Sequence, residues 1–134
     1  MTARPDYVAM PHGYYVRRVR ASSEEPSSTL VRWRLAQVRH ADGSVQRHLR
    51  GNMNGEGRIS TRVSAIDLET MHVTTATGRI YCLDGPPGDD LDAAYLYVLW
   101  LESCGRSELK DLSRSMLRLR RIRLNLLWTP VGAD

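Results

Sequence analysis

The chain has 134 residues, 42% of them apolar and 25% charged, which suits one domain with a packed core and excludes wholesale disorder. Its net charge of +4 hides two basic zones around an acidic one: residues 1–67 carry +5, residues 68–112 carry −5 and residues 113–134 carry +4. That layout suits either pairing between zones inside the fold or contact with charged partners. No run approaches the ~20 apolar residues of a membrane span. The first residues also lack the apolar core of a signal peptide, so a cytoplasmic location with Cys82 and Cys104 reduced and buried is expected.

In chain order, residues 1–12 carry Pro5 and Pro11 without periodicity and read as a loose N-terminal segment. Residues 14–20 read as a first strand and residues 21–28 as a loop. Residues 29–39 form a strand in which Val31, Trp33 and Leu35 alternate with Arg32 and Arg34. His40-Ala41-Asp42-Gly43 closes a hairpin, because Asp-Gly readily takes the positive φ such turns need. Residues 44–50 return, and Gly51 to Gly57 reads as a flexible loop.

Residues 58–83 predict a three-strand antiparallel meander. Ile59, Thr61, Val63 and Ala65 share a face of its first strand, and turns fall at residues 67–70 and at Thr77-Gly78. Asp89, Asp90 and Asp92 open a helix, with acids beside the positive end of its dipole. Leu91, Tyr95, Val98, Leu99 and Glu102 trace one stripe of it, other apolar residues predict a well-buried helix, and Gly105 stops it. In the tail, Leu109, Leu112, Met116, Leu119 and Leu126 suit a helix opening at Ser107. A bulged strand over residues 117–128 fits the alternation too. Helix propensity favours helix through about Leu119.

Residues 75–88, TATGRIYCLDGPPG, resemble a T-x-S-G-R-x-Y-x-L-x-G-x-P-G pattern of small uncharacterised proteins in proteobacterial genomes and mobile elements. Thr75, Gly78, Arg79, Tyr81, Leu83, Gly85, Pro87 and Gly88 match, and Thr77 stands where the pattern has Ser. The resemblance spans about residues 58–88 and implies no activity, cofactor or catalytic residue.

Three groups of residues could carry chemistry. Asp89, Asp90 and Asp92 could hold a hard cation, against the commoner role of Asp at a helix start, capping. Cys82 with His72 is the one nucleophile–base pairing that adjacent strands could unite; the turn count puts Cys82 opposite residue 73 or 74, and the histidines show no zinc spacing. The basic residues offer more. Arg32, Arg34, Arg47 and Arg50 lie on two neighbouring strands, and Arg118, Arg120, Arg121 and Arg123 are set among leucines near the end. Arginines beside aromatics suit single-stranded nucleic acid; arginines among leucines suit an acidic partner, a phosphate backbone or a membrane surface.

The sequence thus predicts an α+β fold: an antiparallel sheet of five or six strands, open to barrel-like closure, with one or two C-terminal helices, residues 13–134 forming the single domain. It predicts a non-enzymatic binding protein without cofactor or metal, acting on a protein or nucleoprotein complex, with a homodimer compatible. A phage or mobile-element inhibitor such as an anti-CRISPR fits the size and the resemblance. The alternative is direct nucleic-acid binding by an Arg-rich sheet face; third comes a small enzyme dependent on Cys82 or on the Asp89–Asp92 group.

Overall fold

A computed structural model describes residues 7–9, 15–17 and 27–127. In order, the elements are β1 (Tyr7–Ala9), β2 (Tyr15–Arg17), β3 (Ser27–Arg39), β4 (Val45–Met53), β5 (Glu56–Ile59), β6 (Val63–Asp67), β7 (His72–Thr75), β8 (Ile80–Leu83), α1 (Leu91–Ser103), β9 (Ser107–Asp111) and α2 (Ser113–Leu127). β1 and β2 form a two-stranded antiparallel sheet, while the other seven strands form one sheet in the order β5-β4-β3-β8-β7-β6, with β9 also on β3. The fold is α+β with two helices, as the sequence predicts. The sheet is open and mixed rather than wholly antiparallel, because β8 runs parallel to the first residues of β3. No helix among the described residues is long and apolar enough to cross a membrane.

β3 is the spine. One edge pairs with β4 over Val31–Arg39; the other pairs with β8 at Ser27–Leu30 and with β9 at Ala36–Arg39. Perfect alternation would place Leu30 and Trp33 on opposite faces. Arg32 takes a left-handed φ of 47° where the register shifts, and this bulge re-phases the strand so that Leu30, Trp33 and Leu35 share one core. Val31, expected beside Trp33, is therefore only half-buried. Trp33 Nε1 donates to the Gly85 carbonyl at 3.0 Å, satisfying the one polar group it brings inside.

The meander forms as β6–β7–β8, but Ile59 belongs to β5 and pairs with Arg50 of β4. The predicted loop at residues 51–57 is instead a hairpin. β4 continues to Met53, and Asn54 (φ 55°) and Gly55 (φ 86°) make the left-handed turn, with Asn52 Oδ1 accepting from Gly55 N at 2.9 Å. The two flanking glycines serve close packing, not flexibility. A Cβ at Gly51 would lie 2.8 Å from Leu30 Cγ, and one at Gly57 would lie 2.6 Å from the backbone nitrogen of Ala93 in α1.

The tail also departs from expectation. Residues 107–111 form strand β9, and the helix opens at Ser113 instead of Ser107. Tertiary pairing overrides helix propensity here: β3 has a bare edge beyond Leu35, Leu112 N donates to Leu35 O at 2.7 Å, and Leu35 N donates to Ser113 Oγ at 2.9 Å. The helix then runs to Leu127, and Trp128 lies outside the described residues.

Successive β3 residues point to opposite faces of the sheet, and each face has its own core. Trp33 and Leu35 join Leu49, Val73, Tyr81 and Met116 of α2 on one side. Ala36 and Val38 join Tyr97 of α1 on the other, with Ile59, Trp100 and Leu101. α1 packs through Ala93 and Tyr97, because small Ala93 permits the closest approach to Gly57. The stripe read from the sequence therefore turns outward, leaving Leu91 88% and Val98 51% exposed.

Candidate binding surfaces

The acidic corner is built into the fold. Gly88 N donates to Trp33 O at 3.1 Å, which places the next residue pair beside β3. Asp90 caps α1 through Oδ2, which accepts from Ala93 N at 3.0 Å. Its Oδ1 accepts from Arg32 Nη2 (3.0 Å), Arg32 Nε (3.3 Å) and Asn52 Nδ2 (3.1 Å). Burial works to raise the Asp90 pKa, but the Ala93 amide, Arg32 and Asn52 together outweigh it and hold the carboxyl below its usual value. Arg34 donates to Gly88 O at 3.0 Å and pairs with Asp89 at 3.3 Å and Asp111 at 3.7 Å. Asp92 remains exposed on the first turn. Among the described residues no group of three or more His, Cys, Asp or Glu is placed to hold a metal.

Asp90→Ala removes the cap and strands Arg32 and Asn52. It is expected to cost about 2 kcal/mol by urea denaturation, while Asp89→Ala, at an exposed pair, is expected to cost no more than about 0.5 kcal/mol. Equal costs at the two positions would refute this account of the corner.

The face of β3 and β4 that carries Arg34 and Arg50 lies against α1. Arg50 sits over the Tyr97 ring, 4.2 Å from its centroid, and pairs with Glu108 at 3.5 Å; Tyr97 Oη donates to the same Glu108 at 2.8 Å. Burial, then the Glu108 contact, pushes the Tyr97 phenol upward. Beside it lies a cluster that no motif announces. His48 Nδ1 is 3.0 Å from the Ser60 carbonyl, His48 Nε2 is 3.0 Å from His40 Nε2, and Arg106 Nε donates to His40 Nδ1 at 3.3 Å.

The proton positions in this cluster follow by logic. A carbonyl only accepts, so His48 carries its proton on Nδ1, and its Nε2 accepts from His40 Nε2–H. His40 Nδ1 is then the lone pair that Arg106 needs. Both rings are neutral in this chain of bonds. Burial is the main cause that lowers His48 to a pKa of about 4, with His40 and Arg106 adding to it; burial, then Arg106, lowers His40 as well. Trp100 packs edge-on against His48 at 4.7 Å, and Arg106 covers the Trp100 ring at 4.4 Å.

The β7–β8 register sets Cys82 directly opposite His72, at least one residue from the position the turn count gave, so the two share a face. His72 is exposed, Cys82 is half-buried and Cys104 is exposed, so neither thiol is the buried filler expected from the sequence.

The outer face of α2 differs from these internally matched regions. Met116 is buried, Arg120 Nε donates to Leu68 O at 3.0 Å, and Arg123 pairs with Glu69 at 3.3 Å. Two of the four tail arginines thus tie the helix to the β6–β7 turn. Arg118 and Arg121 point outward with Arg114, beside Leu119 (56% exposed) and Ile122 (50% exposed). Next to them runs a mainly apolar groove of about 230 Å³, lined by Leu35, Arg47, Ile66, Leu68, Leu112, Ser115, Met116 and Leu119. Arg114, Leu119, Ile122 and the groove were missed from sequence; a helix started at Ser113 would have set Leu119 and Ile122 on one face between arginines. No family model, no curated protein and no solved structure matches this chain.

Proposed function

We propose that this is a non-enzymatic binding protein whose docking surface is the groove between α2 and the sheet, with Arg47 in its lining and exposed Arg118 on the adjoining side of α2. The observation that carries this reading is an apolar groove that includes exposed Leu119, carries Arg47 of β4 in its lining, and adjoins exposed Ile122 and Arg118 on α2. Such a surface suits a protein segment with an apolar stripe and acidic flanks, bound helix-in-groove. The sheet arginines support a protein target over nucleic acid, since Arg32, Arg34 and Arg50 already hold Asp90, Asp89 and Glu108 of this chain. An inhibitor of a nucleoprotein complex carried by a phage or mobile element, such as an anti-CRISPR, is one protein of this kind.

The test is a tagged pull-down from bacterial lysate, with and without nuclease, using the wild type and Leu119→Glu/Ile122→Glu. A defined protein set that survives nuclease and is lost from the double variant is expected. Loss of everything on nuclease treatment, or equal capture by the variant, would refute the proposal.

A further inference from the structure

The geometry points to a specific occupant for this groove: helix α1 of a second copy of the chain, giving head-to-tail assembly. The inference rests on the groove being a docking site. A helix with apolar residues on both its inner and outer faces has more to bury than one contact covers, and α1 is such a helix. Its inner face buries Ala93 and Tyr97, yet its outer face still carries Leu91, 88% exposed, and Val98, 51% exposed. These lie at i and i+7, the spacing of anchors for a groove.

Charge assigns the partner. Around those anchors α1 exposes Asp92 and Glu102, with no basic residue in the helix, whereas Arg47 lines the groove and exposed Arg118 stands one turn before exposed Ile122 on the adjoining side of α2. Acidic flanks on one surface meet basic flanks on the other. The two surfaces cannot meet within one molecule, because α1 and α2 pack on opposite faces of the sheet: Tyr97 with Ala36, and Met116 behind Leu35. The contact is therefore between chains and heterologous, so each copy keeps one free α1 face and one free groove, and assembly proceeds to a ring or an open chain instead of stopping at a two-fold dimer.

Complementation of two disabled faces tests this by sedimentation velocity, with folding of every variant checked by circular dichroism. Leu91→Arg/Val98→Arg removes the donor face, and Leu119→Glu/Ile122→Glu removes the acceptor. Wild type is expected to grow past the dimer as concentration rises, and each variant alone to associate about tenfold more weakly or not at all. An equal mixture is expected to form a one-to-one dimer and nothing larger, since it holds one live face of each kind. Asp92→Lys/Glu102→Lys, which changes only exposed charges, is expected to weaken wild-type assembly in the same direction. A monomeric wild type, a variant that still assembles alone, or a mixture that stays monomeric would overturn the inference. The pull-down separates the two readings. A monomeric wild type whose capture is lost only on Leu119→Glu/Ile122→Glu leaves the docking groove standing without self-assembly, and capture indifferent to that variant removes both.

Discussion

Acidification from pH 7 to pH 4 is expected to remove about 3 kcal/mol of folding stability through His48 alone. In the unfolded chain its pKa is the ordinary 6.5, and in the fold it is about 4. Below pH 6.5 the unfolded state therefore binds a proton that the folded state refuses, and stability falls as pH drops until the folded ring titrates near pH 4. Each unit of that gap is worth about 1.4 kcal/mol. Burial of the ring is the largest cause, and the hydrogen bonds add a directional one. A protonated His48 would turn an Nε2–H toward the Nε2–H of His40, and His40 cannot reverse without losing the bond from Arg106 Nε. The Asp90 carboxyl, held below its usual value, loses its contribution only at lower pH, so it does not blur this window. Urea denaturation between pH 7 and pH 4 measures the effect. In His48→Asn, whose amide can still donate to Ser60 O, the plateau at pH 7 is expected to fall and most of the slope to vanish. A slope unchanged by that substitution would show that other groups set the acid sensitivity.

Gly57→Ala is expected to cost about 3 kcal/mol, at the upper end for inserting one methyl group into a packed site. The added Cβ meets only backbone: Ala93 N at 2.6 Å, the Asp92 carbonyl carbon at 2.8 Å and Ala93 Cα at 2.9 Å. No side chain can rotate away, so the first turn of α1 must lift from β5. Lifting it also pulls Asp90 from Arg32 and Asn52. Gly55→Ala, two residues earlier, meets nothing within 4 Å and bears only the strain of a φ of 86°, which costs about 1 kcal/mol. Urea midpoints for the two variants give the comparison directly, and equal losses would refute the close-approach role of Gly57.

These two glycines show what could be read in the sequence. The Asp42-Gly43 hairpin, the meander, the acid-capped start of α1 and its stop at Gly105 each follow from local chemistry and appear in the structure. Gly51 and Gly57 read as loop because a glycine needed for its turn and a glycine needed for lack of bulk look the same in one dimension. The bulge at Arg32 is invisible for a similar reason, since no residue there favours a left-handed φ. β9 depends on a free edge of β3 more than 65 residues away in sequence, which no local window contains.

The site was legible in part. The charge zones anticipated the pairs that join Arg32, Arg34, Arg50 and Arg123 to acids of residues 68–112. Which arginines that would leave facing outward depended on the helix phase of α2. The His40–His48–Arg106 relay depended on a hairpin register and on a helix end brought to it.

β3 draws its neighbours from three separate stretches of chain, and a ribosome delivers them one at a time. β4 arrives at once across a short turn. The first residues of β3 wait about 50 residues for β8, and its last residues wait about 70 for β9, distances that add little to equilibrium cost but slow the search. Throughout that interval the nascent hairpin presents a bare run of amides and carbonyls to any other strand in reach. Arg32 and Arg34 lie on the same strand, and until Asp89 and Asp90 emerge the carboxylates that pair with them in the fold are absent. Like charges along an open edge repel a second copy of themselves. The residues that later fasten α1 to the sheet are thus expected also to hold half-made chains apart.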